Sequence, residues 1–499
     1  MTDRRKAARD LRIEAAESDF RRPQPDQLGN GEETDYPFLA NYGKGLPHDD
    51  AGEVEPAAYR ALLRALSTHR AEDFERVPRG VPDGRPFTNP QAGLAYDLQG
   101  PDPQSLAMPP APRIDSAENS AEMVELYWMA LCRDVRFTDF HRDPVVADAA
   151  TDLSGLSDFR GPKRDAAVTP ATLFRGFTTG DLRGPYVSQF LLRDFRYGTL
   201  AISQRQDTVK PGQDFLTDFD DWLDVQRGAG RRAQRRGRPR YLQTPRDLAH
   251  YVHFDALYQA YLNACLILLE LDAPLDVGNP YPHTANQAGF GTYGGPHILS
   301  LVTEVATRAL KAVWYQKWFV HRRLRPEAFG GRIEAHLTGR RDYPMIDPQV
   351  LESGGLKATR ERWDTGLLPQ AYPEGSPTHP AYGAGHATVA GACVTILKAW
   401  FDESYVLPEP VVPDRTGERL VPYDGPGADR LTLAGELDKL AANIAIGRSF
   451  GGVHWRSDYT ESVKLGEAVA IGILRELKLT THEDAGFTLR RFDGTTLQI

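Results

Sequence analysis

The stretch 379-HPAYGAGHATVAGACVTILKAWF-401 decides the fold, because a flexible glycine turn runs directly into a helix of small residues beginning near His386. Glycine permits the turn, and the alanine-rich segment after it favours helix. Small side chains let a neighbouring helix approach closely, and here they belong to Ala387, Ala390, Gly391 and Ala392. The stretch therefore predicts a tightly packed helix inside a mainly α protein.

Helical periodicity dominates the rest of the chain. Apolar residues recur at helical spacing in seven segments: 55–69, 116–132, 251–270, 297–324, 386–401, 432–446 and 459–477. Alternating, strand-like runs are few, although residues 487–498 predict a terminal hairpin with its turn at Asp493-Gly494. The predicted fold class is therefore mainly α, with one or two helical bundles and little β-structure.

Glycine and proline collect mostly between these helices. Three long connections rich in Pro, Gly and Asp, residues 77–113, 326–382 and 407–430, are expected to be ordered loops laid over the bundles. We expect residues 1–250 to form an N-terminal helical and loop region. Residues 251–499 are then a C-terminal helical bundle that carries the functional site. One continuous domain is the alternative.

The composition is that of an ordinary soluble globular protein, since the 499 residues are 41% hydrophobic and 25% charged. A net charge of −9 argues against a nucleic-acid-binding surface, which is usually basic. Residues 226–240 nevertheless contain seven arginines: Arg227, Arg231, Arg232, Arg235, Arg236, Arg238 and Arg240. A polyanion patch is one interpretation. The absence of interleaved aromatic residues favours a solvated surface loop, at a subunit contact or elsewhere.

Two further expectations concern location and redox state. Residues 1–20 are charged throughout and lack the apolar segment of a signal peptide, so we expect a cytoplasmic protein, with export by another route as the alternative. No uninterrupted apolar run reaches the ~18 residues of a membrane span, so no membrane partner is expected. Three cysteines are too few and too scattered for a disulfide framework. Cys132, Cys265 and Cys393 are predicted to be buried thiols.

The first segment with chemical meaning is 314-WYQKWFVHRRLRP-326. On one continuous helix, Lys317 and Arg325 would lie only about 80° apart, so both side chains would reach one cavity. Pro326 would then end that helix. The alternative is a helix with a basic, solvated face.

The second segment is 379–395, in which the glycine turn runs into a helix that begins near His386. Free backbone N–H groups at the start of a helix, together with the helix dipole, form a site for an oxyanion. A tightly packed helix with an incidental histidine is the alternative. In the third segment, a helix ends at Gly451-Gly452 and His454 follows it. Asp458 is close enough in sequence to hold one imidazole nitrogen and free the other as a ligand or nucleophile.

Together the three segments predict a site for a tetrahedral, multiply charged oxyanion, either phosphate or vanadate. Lys317, Arg325 and Arg448 supply three positive charges in a protein that is acidic overall. The Gly385 N–H adds a backbone donor, His386 is placed as an acid–base group, and His454 is the group that bonds the central atom. No carboxylate cluster or Cys/His set predicts a cage for a divalent metal.

These blocks resemble the superfamily shared by vanadium-dependent haloperoxidases and the acid phosphatases of the membrane-lipid phosphatase type. Within it, the chain is similar to the bromoperoxidases of marine algae and their bacterial relatives. The matching motifs are Gln316-Lys317-Trp318, Val320-His321-Arg322, Arg325-Pro326-Glu327-Ala328, His379-Pro380, Gly385-His386-Ala387-Thr388 and Gly447-Arg448. The likeness extends to Lys44-Gly45-Leu46-Pro47-His48 and Arg491-Phe492-Asp493-Gly494, and so covers most of the chain.

The resemblance implies orthovanadate, as vanadium(V), bonded to His454, with Asp458 orienting that imidazole. Lys317, Arg325, Arg448 and the Gly385 N–H would neutralise the equatorial oxygens, and Lys317 would act in catalysis. His386 would take a proton when hydrogen peroxide binds, so activity would fall at acid pH. Trp314 and His379 match positions near the halide path.

The implied reaction oxidises bromide or iodide to hypohalous acid, which halogenates a small organic acceptor. Phosphate would compete with vanadate, and related enzymes form dimers or larger assemblies. Two rival functions stay open: a phosphatase with His454 as nucleophile, and a non-catalytic oxyanion-binding protein.

One position departs from the family pattern. The superfamily usually has Pro-Ser-Gly-His where this chain reads Gly383-Ala384-Gly385-His386. Ala384 lacks the hydroxyl donor of the usual serine, and a hydrogen bond to a charged group contributes roughly 1.5–3 kcal/mol. Water or Thr388 are the candidate replacements. Vanadate binding is expected to survive, with an altered affinity or halide range.

Overall fold

The computed structural model describes residues 3–230 and 234–499, so Arg231 and Arg232 of the arginine-rich stretch lie outside the described residues. The chain is mainly α, as predicted. The helices are α1 (Arg4–Arg21), α2 (Glu32–Asp35), α3 (Pro56–Thr68), α4 (Ala71–Glu75), α5 (Ala117–Leu131), α6 (Pro144–Gly155), α7 (Phe219–Gln226), α8 (Pro245–Phe254), α9 (Gln259–Glu270), α10 (Gly295–Tyr315), α11 (Pro326–Leu337), α12 (Pro348–Leu351), α13 (Gly354–Trp363), α14 (Gly385–Trp400), α15 (Leu433–Phe450) and α16 (Arg456–Thr480).

The β-structure consists of three short antiparallel hairpins. They pair β1 (Phe195–Tyr197) with β2 (Leu200–Ile202), β3 (Val411–Pro413) with β4 (Leu420–Pro422), and β5 (Thr488–Arg490) with β6 (Thr496–Gln498). The last pair is the predicted C-terminal hairpin, with Gly494 in the left-handed conformation at its turn.

Helix α14 lies at the centre of the bundle and packs against α10, α15 and α16. Nearly every residue of α14 is buried. The predicted close approach is confirmed at two glycines. A Cβ atom at Gly391 would overlap the carbonyl oxygen of Val463, and one at Gly466 would overlap that of Thr388. Small residues therefore bring α14 and α16 into backbone contact, which fixes the position of the α14 N-terminus.

Two predicted helices are broken in the structure. The segment 251–270 contains the end of α8 and all of α9, which meet at an angle of 101° because Asp255 is extended. The segment 297–324 is also interrupted. Helix α10 ends at Tyr315, a π-helical turn spans Gln316–His321, and Arg322 then adopts the left-handed conformation with φ of 45°. The chain leaves the helix there.

The prediction of a long ordered loop over residues 326–382 is wrong, because this segment contains α11, α12 and α13. Pro326 and Pro348 occupy the first positions of α11 and α12, where a residue without an N–H costs no helical hydrogen bond. Proline therefore starts these helices. The expectation that Pro326 ends a helix is likewise wrong, because the preceding helical turn has already ended at His321.

Within residues 3–230 and 234–499, no single helix is both long enough and apolar enough to cross a membrane. Helices α8 and α9 together have sufficient length and apolar character, but they form a bent pair. The same residues include no group of three or more His, Cys, Asp or Glu side chains that could hold a metal ion. The three cysteines are free and buried, as predicted.

The contact between α14 and α16 generates a stability prediction. Gly391→Ala places a methyl group against the Val463 carbonyl, so we expect overpacking to lower the free energy of unfolding by about 1–3 kcal/mol. Urea-induced unfolding measures the difference. Gly155→Ala, at the end of α6 with open space around it, is the matched control and should not destabilise the protein. Equal stability of the two variants would contradict the proposed contact.

Candidate oxyanion site

The three predicted segments meet at the N-terminus of α14. Gly385 is the first residue of this helix, and the first amide groups of a helix have no intrahelical acceptor. The preceding residue, Ala384, donates its N–H to Ser462 Oγ at 2.8 Å. The indole of Trp314 covers Gly385, since a Cβ atom there would lie 3.1 Å from that ring. The turn is therefore fixed by α10 and α16 on its two sides.

Lys317 is fully buried on the π-helical turn. Its Nζ lies 2.9 Å from both His379 Nδ1 and the carbonyl oxygen of Pro380, and 5.0 Å from the centre of the Trp314 ring. The Trp314 and His379 rings are 4.9 Å apart. These two residues, predicted near the halide path, are thus brought together beside the lysine.

Arg325 lies on a different element from Lys317, which corrects the prediction that one helix carries both. Because Arg322 is left-handed, the helix cannot continue, and Arg325 is the extended residue before α11. Its guanidinium donates to the His379 carbonyl at 2.9 Å and the Val453 carbonyl at 2.7 Å. It also lies 3.0 Å from His454 Nε2. Both cations nevertheless meet at one point, because the guanidinium of Arg325 and the Nζ of Lys317 each lie 2.9 Å from His379 Nδ1.

His454 follows the end of α15 at Phe450, as the Gly451-Gly452 pair predicts. Its Nδ1 lies 2.7 Å from Asp458 Oδ2, and its Nε2 faces Arg325. The same carboxylate oxygen of Asp458 accepts the Trp455 N–H at 3.0 Å. With Nδ1–H donated to the carboxylate, Nε2 carries the lone pair of the neutral imidazole. The structure thus forms the predicted contact between His454 and Asp458 and turns Nε2 toward Arg325.

Arg448 lies in the last turn of α15. Its guanidinium donates to the Val252 carbonyl at 2.8 Å and lies 5.4 Å from the centre of the Tyr372 ring. Its buried Nε atom has no hydrogen-bond partner among residues 3–230 and 234–499. A buried guanidinium N–H without an acceptor is a donor position for an anion.

His386 has a partner that sequence reasoning missed. Its Nε2 lies 3.0 Å from Asp255 Oδ1, so Nδ1 is the imidazole nitrogen left for other contacts. Asp255 follows the last residue of α8. An acidic residue interrupting the apolar segment 251–270 was the available signal, but the helical periodicity of that segment concealed the break.

Thr388 does not replace the donor that Ala384 lacks. The Thr388 hydroxyl donates to the Ala384 carbonyl at 2.9 Å, within the first turn of α14. Its single hydrogen is thereby used. The suggestion that the Thr388 hydroxyl replaces the serine hydroxyl is therefore wrong. The remaining candidate donors are Lys317, Arg325, Arg448 and the Gly385 N–H.

The electrostatics around His379 and His454 favour an anion. Burial, followed by the charge of Arg325, holds the pKa of Lys317 well below its usual value. Burial also lowers the pKa values of His379 and His454 far below normal and that of Arg325 to about 10. A multiply charged oxyanion balances this excess of positive charge and satisfies the free Arg448 donor. The residues present therefore fit a tetrahedral oxyanion.

A buried cluster of cations at the start of the central helix of a bundle defines a mainly α, oxyanion-binding protein. Residues 297–481 match the family model described as the VCPO second helical-bundle domain. The chain is 41% identical to the vanadium-dependent bromoperoxidase of Corallina officinalis over 100% of this chain and 99% of that protein. It is 36% identical to that of Ascophyllum nodosum, over 95% and 88% of the two chains.

A solved structure agrees with these sequences. The second vanadate-dependent bromoperoxidase of Ascophyllum nodosum, described as homohexameric, superposes with a TM-score of 0.94 at 31% identity, covering 100% of this chain and 90% of that one. The chain belongs to the vanadium-dependent bromoperoxidase family.

The lowered pKa of Lys317 generates a prediction about protons. An oxyanion stabilises the charged lysine, so its pKa is higher in the complex than in the free protein. Between these two values, binding takes up a proton and affinity falls as the pH rises. Calorimetric titration with sulfate, whose own charge is constant there, in two buffers of different ionisation enthalpy measures this uptake. Lys317→Met should abolish it; an unchanged uptake would assign the proton to another group.

Proposed function

We propose that this protein is a vanadate-dependent haloperoxidase in which His454 Nε2 holds the vanadium. It oxidises bromide or iodide with hydrogen peroxide, and the hypohalous acid formed halogenates a small organic acceptor. The observation that supports this most directly is the His454–Asp458 pair at 2.7 Å, which leaves Nε2 as the nitrogen that faces the buried cations, 3.0 Å from the Arg325 guanidinium. Membership of the bromoperoxidase family supports the halide chemistry.

The proposed roles follow the geometry. Lys317, Arg325, Arg448 and the Gly385 N–H would hold the oxygens of the bound anion, as charge-assisted and backbone donors. Bound vanadate supplies Lewis-acid activation of hydrogen peroxide toward halide without changing its own oxidation state. Phosphate is tetrahedral and multiply charged like vanadate, so we propose that it competes for the same donors. The homohexameric relative supports assembly of this chain with copies of itself.

His386 is the proposed proton acceptor. Asp255 accepts the proton of Nε2–H, which leaves Nδ1 as the basic nitrogen. Nδ1 accepts a proton from hydrogen peroxide as the peroxide enters and returns it when water leaves. The net reaction consumes hydrogen peroxide, halide and one proton, and yields hypohalous acid and water. Lys317, as a fixed cation in a buried site, would stabilise the negative charge that develops on one peroxide oxygen when the halide takes the other.

The central test removes the ligand nitrogen. His454→Ala should abolish vanadate-dependent bromination of monochlorodimedone, because no other group bonds the vanadium, while the cations still bind sulfate. Hydrolysis of p-nitrophenyl phosphate is measured in parallel. Brisk hydrolysis by the parent protein without vanadate-dependent bromination would favour the phosphatase. Tight vanadate binding with neither activity would favour a binding protein.

Ala384 allows a test by gain of function. Ala384→Ser restores a hydroxyl at the start of α14, so we expect vanadate affinity to rise by about tenfold or more, as one charged hydrogen bond predicts. Calorimetry measures the dissociation constant. The hydroxyl could instead cap its own helix, which would raise thermal stability by about 1 kcal/mol and leave vanadate affinity unchanged. That pattern would contradict a donor role for this position.

A further inference from the structure

Arg323 is a buried guanidinium that the proposed mechanism does not use. It lies two residues before Arg325, on the extended segment between the π-helical turn and α11, and its side chain is 3% exposed. One terminal nitrogen donates to Asp458 Oδ1 at 3.0 Å and to Ser457 Oγ at 2.8 Å. The other terminal nitrogen donates to Glu122 Oε2 at 3.1 Å and Asn119 Oδ1 at 3.0 Å. Arg323 therefore joins α5 to the start of α16, directly behind His454.

Aromatic rings fix the plane of this guanidinium. Its carbon lies 4.8 Å from the centre of the Trp455 ring and 5.9 Å from that of Tyr382. Stacking and four hydrogen bonds leave Arg323 little rotational freedom. A rigid cation of this kind is suited to hold a carboxylate in one orientation.

Asp458 is shared between Arg323 and the site. Oδ1 accepts from Arg323, whereas Oδ2 accepts from His454 Nδ1 and from the Trp455 N–H. The carboxylate is fully buried, and burial raises the pKa of Asp458 while the charge of Arg323 opposes that effect. Without Arg323, Asp458 would lose its nearest countercharge and one of the anchors that point Oδ2 at the imidazole.

We propose that Arg323 is a positioning residue for the vanadate site: it holds the Asp458 carboxylate so that the imidazole proton of His454 stays on Nδ1 and Nε2 is free to bond vanadium. This inference rests on the proposed function. Loss of a group that orients a metal ligand typically lowers metal affinity about 10–100-fold. Sulfate would be held by Lys317, Arg325 and Arg448 and would make no bond to His454 Nε2. Its affinity should therefore not depend on Arg323.

The experiment compares vanadate and sulfate affinities by calorimetry in the full-length protein. Arg323→Met should weaken vanadate binding about 10–100-fold and leave sulfate binding nearly unchanged. Arg323→Lys keeps a cation beside Asp458 and should recover most of the vanadate affinity. The vanadium NMR signal of the complex should shift in Arg323→Met, because the environment of the bonded nitrogen changes.

Arg456→Met is the matched control. Arg456, at the start of α16, forms an equally buried pair with Glu125 of α5, with its Nε 2.8 Å from that carboxylate, but it has no hydrogen bond to Asp458. Its vanadate affinity should equal that of the parent. Should Arg323→Met fail to fold, R323M/E122Q removes the charge left unpaired on Glu122 and should show the same selective loss.

The outcomes separate two failures. A parent protein that binds no vanadate overturns the proposed function. A parent that binds vanadate, with Arg323→Met either equal to it or losing vanadate and sulfate affinity in proportion, overturns the positioning role. Equal loss in Arg456→Met would also overturn it, because any broken ion pair near α16 would then suffice.

Discussion

Repulsion among buried positive charges at the start of α14 is the constraint on which the rest of this structure depends. Lys317 and Arg325 are almost completely buried, and Arg448 is 6% exposed. Taking each such ion out of water costs several kcal/mol even after relaxation, and like charges add to that cost. The depressed pKa of Lys317 expresses both effects, with burial the larger. A site of this kind persists only if rigid elements hold the cations and an anion balances them.

The surrounding ion pairs make the contrast clear. Lys44 lies 2.5 Å from Glu327, and it also donates to the carbonyl oxygens of Glu374 and Ser376, which precede His379. Arg323 is paired with Glu122 in the same way. Lys317, Arg325 and Arg448, by comparison, form no ion pair with a carboxylate in residues 3–230 and 234–499. The cations of the scaffold are neutralised by carboxylates of the protein, whereas those around His454 are not, which is the arrangement expected of an anion site.

Much of this site could be predicted from residue types and spacing. His454 and Asp458 are four residues apart after a glycine break, and the sequence alone identifies their contact. The three cations and the α14 N-terminus also follow from the sequence. The path between Lys317 and Arg325 could not be predicted, because no glycine marks the left-handed conformation of Arg322. Its contacts there are with distant residues: its carbonyl accepts from the Tyr42 N–H, and its guanidinium donates to Glu33. The helices in residues 326–382 could not be predicted from composition, because prolines that begin helices and prolines in loops make a segment equally rich in proline.

The missed break after α8 has a functional meaning of its own. Because α8 ends at Phe254, the carbonyl of Val252 lies in its last turn, where it has no intrahelical donor and accepts from Arg448 instead. Asp255, freed from the helix, reaches His386. One helix end therefore positions both a cation and a proposed acid–base group, and a continuous helix 251–270 would supply neither contact. The two places where helical periodicity fails, Arg322 and Asp255, both position residues of the candidate oxyanion site. Local preference is overridden where the site requires it, as expected of a functional centre.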